Sequence, residues 1–412
     1  MFAAVYADTK GNAFIDERHL AVGRTGAYYA ELTEQQLIPM PAGATLALVP
    51  GRRAVGIRPD DGSFSTLGSG RLALAALLPQ GYTRLALPAY HGEGEPLPLF
   101  GYTAVAWKDE QFYVAAKQED VNLQKWDPAN FNTPGLAELV RQQQGNFPGN
   151  PIIQQLAHCA LHYSCFTAQN IFYRRWEGGI PVSGRCNAAC VGCISEQESE
   201  CCPSPQSRIK YRPTVEQVVE VALPHLQQAD DAIVSFGQGC EGEPLLQSSL
   251  IAEVIQHVRS QTGRGTINVN TNAGHSAGVR QVVAAGIDSL RVSINSAIQD
   301  NYLAYYRPRY RLADVQESIR IARQHGVYVA LNLLAFPGVT DREDELEALI
   351  DLIRRTGVNM VQVRNLNIDP EQYLALMHHS SGELYGMEQL ADILTAEVPG
   401  LRVGSFSHPV QR

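Results

Sequence analysis

Eight cysteines stand in this 412-residue chain, and five of them crowd into one short stretch: Cys186, Cys190, Cys193, Cys201 and Cys202. Cys186-Asn-Ala-Ala-Cys190-Val-Gly-Cys193 puts three thiols on a single loop. Thiolates so spaced can hold three corners of a cube of iron and sulfide, leaving the fourth iron without a protein ligand. An open iron is what a reactive, rather than purely electron-carrying, cluster needs. The same loop also suits a zinc knot completed by a distant ligand such as Cys201 or Cys202, and the spacing alone leaves both open. A disulfide-stapled secreted domain would spread its cysteines. Their crowding, with no basic segment and apolar run at the amino terminus, predicts reduced thiols in a cytoplasmic protein.

Further polar residues sit where apolar runs end. Cys240 closes the turn Phe236-Gly237-Gln238-Gly239-Cys240, and Glu241-Gly242-Glu243-Pro244 follows it. Asn272 ends Asn270-Thr271-Asn272, Ser293 and Asn295 end the next apolar run, and Val363 leads into Arg364 and Asn365. Each has an ordinary explanation, since Glu is common at helix starts and Ser and Asn terminate strands. Arg364 and Asn365 invite more: a guanidinium fork suits a carboxylate or phosphate, and an amide both donates and accepts. Asp369-Pro370 reads as the cap and first residue of a helix. Cys201, Cys202 and Cys240 could approach one another and ligate an auxiliary cluster, or one could donate a hydrogen atom, but buried free thiols are the expected state. Cys159 and Cys165, six residues apart, do not share a helix face and read as buried thiols too.

Positioning such residues calls for a regular scaffold, and from Gly179 onward the pattern supplies one. Apolar runs at Ile180–Ser183, Ala232–Phe236, Thr266–Thr271, Ser289–Ile294, Tyr328–Ala335 and Met360–Val363 predict strands. Amphipathic stretches at Val215–Gln228, Leu245–Gln261, Ala277–Ala285, Ala313–Gln324 and Arg342–Arg355 predict helices between them, with Gly286, Gly326 and Gly357 at the expected carboxyl-terminal caps. Strict β–α alternation implies a parallel sheet with right-handed crossovers. A full eight-unit barrel takes ~250 residues, and only about six units fit here, so an α/β partial (β/α)6 TIM-like barrel is expected, with a doubly wound sheet as the alternative. Either fold gathers ligands at the carboxyl ends of its strands, where the polar residues above fall.

The first 120 residues read as a β-rich domain, with short apolar runs at Thr45–Pro50, Arg84–Pro88, Thr103–Trp107 and Gln111–Ala116 and a hairpin turn at Lys108-Asp109-Glu110. Residues 121–178 read as a helical connector broken near Gly145–Pro151, residues 179–370 as the β/α core, and residues 371–412 as a carboxyl-terminal extension. A composition of 45% hydrophobic and 18% charged residues excludes disorder, and the net charge of −9 gives no footprint for nucleic acid. The nearest approach to a basic patch, Arg307-Pro308-Arg309-Tyr310-Arg311, reads as a loop, and no apolar run is long enough to span a bilayer.

The Cys-x3-Cys-x2-Cys loop, placed after the first strand of a β/α series, resembles the radical S-adenosylmethionine (SAM) superfamily over about residues 179–369. The resemblance implies that Cys186, Cys190 and Cys193 hold a [4Fe–4S] cluster whose open iron is chelated by SAM, and that a reductant such as flavodoxin or ferredoxin supplies the electron that cleaves it. The resulting 5′-deoxyadenosyl radical would then abstract hydrogen from substrate. Glu241-Gly242-Glu243-Pro244 is similar to the family's Gly-Gly-Glu-Pro element, which would set Glu243 against the SAM ammonium. Asn272, Ser293 and Asn295 fall where the family places further SAM contacts, and Leu333-Leu334 where backbone lies along adenine. Three positions depart from the pattern: Gly192 stands where an aromatic residue is common, Glu241 replaces the first Gly, and Phe336-Pro337-Gly338 only loosely echoes the Gly-rich element.

These residues lead us to expect a radical SAM enzyme acting on an unidentified substrate, with a peptide or protein suggested by the additional amino-terminal domain. Cys240, Arg364 and Asn365 are the candidates beyond the cofactor contacts. A small-molecule mutase or epimerase of the same superfamily, and a non-catalytic iron–sulfur or metal-binding protein, are the alternatives.

Overall fold

The computed structural model describes residues 1–92, 95–97, 99–120, 123–196, 207–378 and 382–410. Its centre is a parallel sheet of seven strands: β1 (Arg175–Gly179), β2 (Asp230–Phe236), β3 (Thr266–Thr271), β4 (Ser289–Ile294), β5 (Tyr328–Ala335), β6 (Met360–Asn365) and β7 (Arg402–Gly404). They lie side by side in chain order, every neighbouring pair parallel. A doubly wound sheet reverses its strand order at a switch point. This one does not, so it curls as an open half-barrel, with β1 and β7 as its edges.

Helices α1 (Val215–Gln228), α2 (Ser248–Arg259), α3 (Ser276–Ala284), α4 (Gln299–Tyr306), α5 (Leu312–Gln324) and α6 (Glu343–Thr356) follow the strands and cover the outer face. Their starts and stops are written locally. Thr214 and Gln217 form a reciprocal capping box at α1, and Gly357, in the left-handed conformation at φ 72°, ends α6. Each inward stripe is apolar: Ile251, Ile255 and Val258 of α2 are wholly buried. Every such side chain contributes about 1.5–3 kcal/mol by leaving water.

Three elements differ from the sequence-based expectation. The first strand is Arg175–Gly179, not Ile180–Ser183. Its Arg-Trp-Glu-Gly-Gly sequence hides it, because Glu177 points into the barrel toward polar partners and breaks the apolar run. Helix α4 buries Asn301, Tyr302, Tyr305 and Tyr306, whose polar atoms mask its inward face. Finally, β7 lies in the stretch read as an extension; three residues are too few to show a period.

The amino-terminal region forms a ten-stranded antiparallel sheet with a three-stranded sheet beside it. Strands Tyr102–Lys108 and Gln111–Gln118 meet in a hairpin whose two turn residues, Asp109 and Glu110, have φ of 48° and 60°. That left-handed pair matches the twist of the flanking strands. Helices Leu136–Asn146, Pro151–His162 and Phe166–Tyr173 then lead into β1, with the expected break before Pro151 capped by Asn150.

The amino-terminal sheet is seated on the loops that leave β5 and β6. Gly26 N–H donates to Pro337 O at 2.9 Å, and a Cβ on Gly338 (φ 86°) would lie 2.0 Å from Gly26 N, so only glycine fits. Arg24 forks onto the Glu371 carboxylate at 2.6 and 3.0 Å. Arg84, fully buried, donates to Phe100 O, Tyr102 O and Leu366 O, and burial pulls its guanidinium down to about 9. An interface that buries a cation among carbonyl acceptors is fixed in register, because any slip leaves the charge unsatisfied.

Candidate active site

The cysteine loop leaves β1 at the carboxyl end of the half-barrel and is held by backbone bonds from several sides. Ala189 N–H donates to Tyr306 O and Val191 N–H to Tyr305 O, both at 3.0 Å, so the end of α4 anchors the loop. Arg309 N–H donates to Asn187 O at 2.9 Å. The Tyr305 hydroxyl lies 3.0 Å from where a side chain at Gly192 would begin, so α4 fills the space where an aromatic residue was expected. The entry to the loop is held by Glu241. Its buried carboxylate accepts from Val182 N at 2.8 Å, Ser183 N at 3.0 Å, Gln238 N at 3.2 Å and, closely, Gly237 N. Burial pushes this carboxyl up to about 7 against the pull of those four amides.

Cys186, Cys190 and Cys193 are all half-buried. Burial raises the Cys190 thiol well above its ordinary value, and negative charge on Cys186 and Cys193 raises it further. Burial also raises Cys186, with Glu243 and Cys193 adding to the shift and Arg208 opposing it. The three sulfurs therefore lie within electrostatic reach of one another, and Cys186 within reach of Glu243. Among the described residues, no three His, Cys, Asp or Glu side chains close on a site for a single ion. As a donor set, three soft thiols on one rigid loop suit iron–sulfide chemistry, with metal binding displacing their protons.

Glu243 follows on the turn after β2 and is wholly enclosed. One oxygen accepts from Thr271 Oγ1 at 2.6 Å and Leu245 N at 3.0 Å; the other accepts from Asn272 N at 2.8 Å. A carboxylate has about four lone-pair positions, so one remains, on the oxygen that binds Asn272. Burial raises this carboxyl and the three donors oppose the rise. The Asn272 amide donates to Asn187 Oδ1 at 2.7 Å and accepts from Gly274 N, tying β3 to the cysteine loop. Ser293, half-buried, shares the lumen-facing alternation of Arg291 on β4. Asn295 is 1% exposed; its amide donates to the Tyr373 hydroxyl at 3.2 Å while its Oδ1 has no partner.

Below the mouth the lumen is polar. Glu177 accepts from Ser235, Ser407 and Arg291, and Asn268 bridges Ser235 and Asn270. Arg364 projects into this lumen near the carboxyl end of β6. Its guanidinium makes a long bond to Gln362 Oε1 at 3.4 Å; burial, then Arg291, pulls the guanidinium down to about 10. A half-buried fork held by one long bond is suited to an incoming anion.

Two expectations are corrected here. Asn365 does not face the chamber: its amide accepts from Arg84 N at 2.8 Å and donates to Tyr82 O at 3.0 Å, fastening β6 to the amino-terminal sheet. It stands one residue from Arg364, and adjacent strand residues point to opposite faces. Cys240 is likewise turned away. Its buried thiol lies against Cys159 on the helix Pro151–His162, and that contact together with burial holds the Cys240 proton firmly. Cys201 and Cys202 lie outside the described residues.

Three residues around the site were not singled out from sequence, Thr271, Tyr305 and Arg208, and Glu241 stood out only as a departure from the family pattern, not as a clamp. For Glu241 a signal existed, since a charged residue in a turn otherwise rich in glycine asks for a partner. Thr271, Tyr305 and Arg208 carried no signal short of the fold.

Residues 180–361 match the radical SAM superfamily model. Among solved structures, methylornithine synthase is similar at 14% identity, over 66% of this chain and 76% of its own, with a TM-score of 0.39. A radical SAM methyltransferase from Sphaerobacter thermophilus is similar at 15% identity over 65% and 92%, with a TM-score of 0.40. SuiB from Streptococcus suis, bound to precursor peptide SuiA, is similar at 11% identity over 58% and 54%, with a TM-score of 0.38. No curated protein matches the sequence. With the family model matched across the half-barrel, residues 180–361 carry a radical SAM domain, the domain of enzymes that work with a [4Fe–4S] cluster and SAM.

Proposed function

We propose that Cys186, Cys190 and Cys193 ligate the cluster, that Glu243 receives the SAM ammonium, and that Arg364 receives an anionic group of the substrate. The observation that carries this is the convergence of three half-buried thiols and the Glu243 carboxylate at the carboxyl end of the half-barrel, each thiol held by a loop bonded to α4 and β3. Bound there, the cluster and SAM supply reductive cleavage and a carbon radical that abstracts hydrogen from substrate.

The chain's own residues do the positioning. Glu243 keeps one free lone pair toward the mouth's cationic ligand, and Asn272, Ser293 and Asn295 stand as further SAM contacts. The unpartnered Asn295 Oδ1 fits a donor hydroxyl. The amino-terminal sheet, seated on the loops after β5 and β6, shields that side of the mouth from water and stands where an entering substrate would meet it. A peptide or protein substrate is the class this arrangement favours, and a flavodoxin- or ferredoxin-type one-electron donor is the expected reductant. No helix among the described residues is long and apolar enough to cross a membrane.

Anaerobic reconstitution with iron, sulfide, SAM and reductant tests the proposal. Wild-type protein should release 5′-deoxyadenosine, and replacing any of the three cysteines by Ala should abolish both iron loading and cleavage. Arg364→Ala should keep uncoupled SAM cleavage and lose substrate-dependent turnover. Stoichiometric zinc without iron or sulfide would overturn the cluster assignment, and loss of SAM cleavage in Arg364→Ala would move Arg364 to the SAM site.

A further inference from the structure

Arg208 lies fifteen residues beyond Cys193, and the fold returns it to that residue's sulfur. Its guanidinium is 15% exposed and points three ways. Nε donates to Ser195 Oγ at 2.9 Å, Nη2 donates to Cys193 Sγ at 3.4 Å, and Nη1 pairs closely with the Glu196 carboxylate. Ser195 Oγ itself stands 3.4 Å from the same sulfur. Cys193 thus has a cation and a hydroxyl against it, whereas the sulfurs of Cys186 and Cys190 receive backbone N–H groups. The asymmetry singles out one corner of the site.

Resting on the assignment of the three thiols as cluster ligands, we infer that Arg208, with Ser195, sets the reduction potential of the cluster through the Cys193 sulfur. In the step concerned one electron passes from an external one-electron donor to the cluster. No bond to the protein forms or breaks and no proton moves. What decides the equilibrium is how well the ligating sulfurs bear the added negative charge. An N–H donor carrying positive charge stabilises that charge more than a neutral one, so Arg208 raises the potential. Glu196, 53% exposed and paired with the same guanidinium, opposes it. Arg208 is a positioning residue, since it acts through the sulfur of Cys193.

The sign of that opposition gives the test. Full-length protein, reconstituted to four irons per chain, is titrated with a graded reductant while the cluster signal is followed by electron paramagnetic resonance. Arg208→Gln should lower the reduction equilibrium about tenfold, which is about 59 mV for one electron. Ser195→Ala should move it the same way by less, Arg208→Lys should restore part of the loss, and Glu196→Gln should move it the opposite way. A common midpoint for all loaded variants would overturn the inference. So would shifts of the same sign in Arg208→Gln and Glu196→Gln, which mark loosening rather than charge. If Arg208→Lys and Ser195→Ala both fail to load iron, these residues serve assembly and the inference falls. Failure of the wild type to load a cluster would instead bring down the ligand assignment itself.

Discussion

Replacing Glu241 by Ala at pH 8, where its carboxyl is ionised, should open the entry to the cysteine loop without unfolding the barrel. The carboxylate joins four backbone amides: Val182 and Ser183 at the loop entry, Gly237 and Gln238 at the exit of β2. The bonds from Val182 and Ser183 are buried, while those from Gly237 and Gln238 are partly open to water. A buried donor left without an acceptor costs about 1–3 kcal/mol, so the two buried amides cost about 2–6 kcal/mol. Relief of a buried charge, felt in the rise of this carboxyl to about 7, offsets part of that. A net local loss of about 2–4 kcal/mol corresponds to exchange of the Val182 and Ser183 amides roughly thirty- to several-hundredfold faster. Peptide-resolved hydrogen exchange over residues 180–185 and 236–240 measures this directly, with β4 and β5 as internal controls. Glu241→Gln, which keeps one oxygen for two of the amides, should fall between. Unchanged protection of Val182 and Ser183 in a folded Glu241→Ala protein would refute the clamp.

Glu243→Gln keeps the shape of the buried carboxylate and removes the charge proposed to receive the SAM ammonium. With about 1.5–3 kcal/mol for a charged hydrogen bond, SAM affinity by calorimetry should fall about ten- to hundredfold while iron loading stays normal; equal affinity would remove Glu243 from the cofactor site. Glu345, 5% exposed beneath Ser296 and Asn301, is pushed up to about 7 by burial from an ordinary value near 4.5. The native state therefore takes up this proton more readily than the unfolded chain. The stabilisation is full below about pH 4.5 and is lost as pH rises through about 7. At about 1.4 kcal/mol per pH unit, wild type should lose about 2 kcal/mol relative to Glu345→Gln between pH 5.5 and pH 8 in urea unfolding. An identical difference at both pH values would contradict the buried titration.

The sequence by itself determined the β/α alternation, and with it the sheet, because apolar runs and capping glycines such as Gly286, Gly326 and Gly357 are local signals read without knowledge of neighbours. It also carried the resemblance to the radical SAM superfamily that the match over residues 180–361 supports, since the cysteine loop and the Glu243 turn are short segments whose spacing survives in the linear chain. Tertiary structure decided where side chains beyond those segments point. Arg364 and Asn365 are equally polar in the sequence, yet one enters the lumen and the other holds Arg84, 281 residues away. Cys240 reads as a neighbour of the cluster until the Pro151–His162 helix brings Cys159 against it. Arg24 and Glu371, 347 residues apart, meet only because two sheets dock. The physical reason is common to all three. Helices and strands are built from neighbours in the chain, whereas a buried charge, thiol or amide takes its role from whichever partner folding delivers, and that partner has no fixed distance along the sequence.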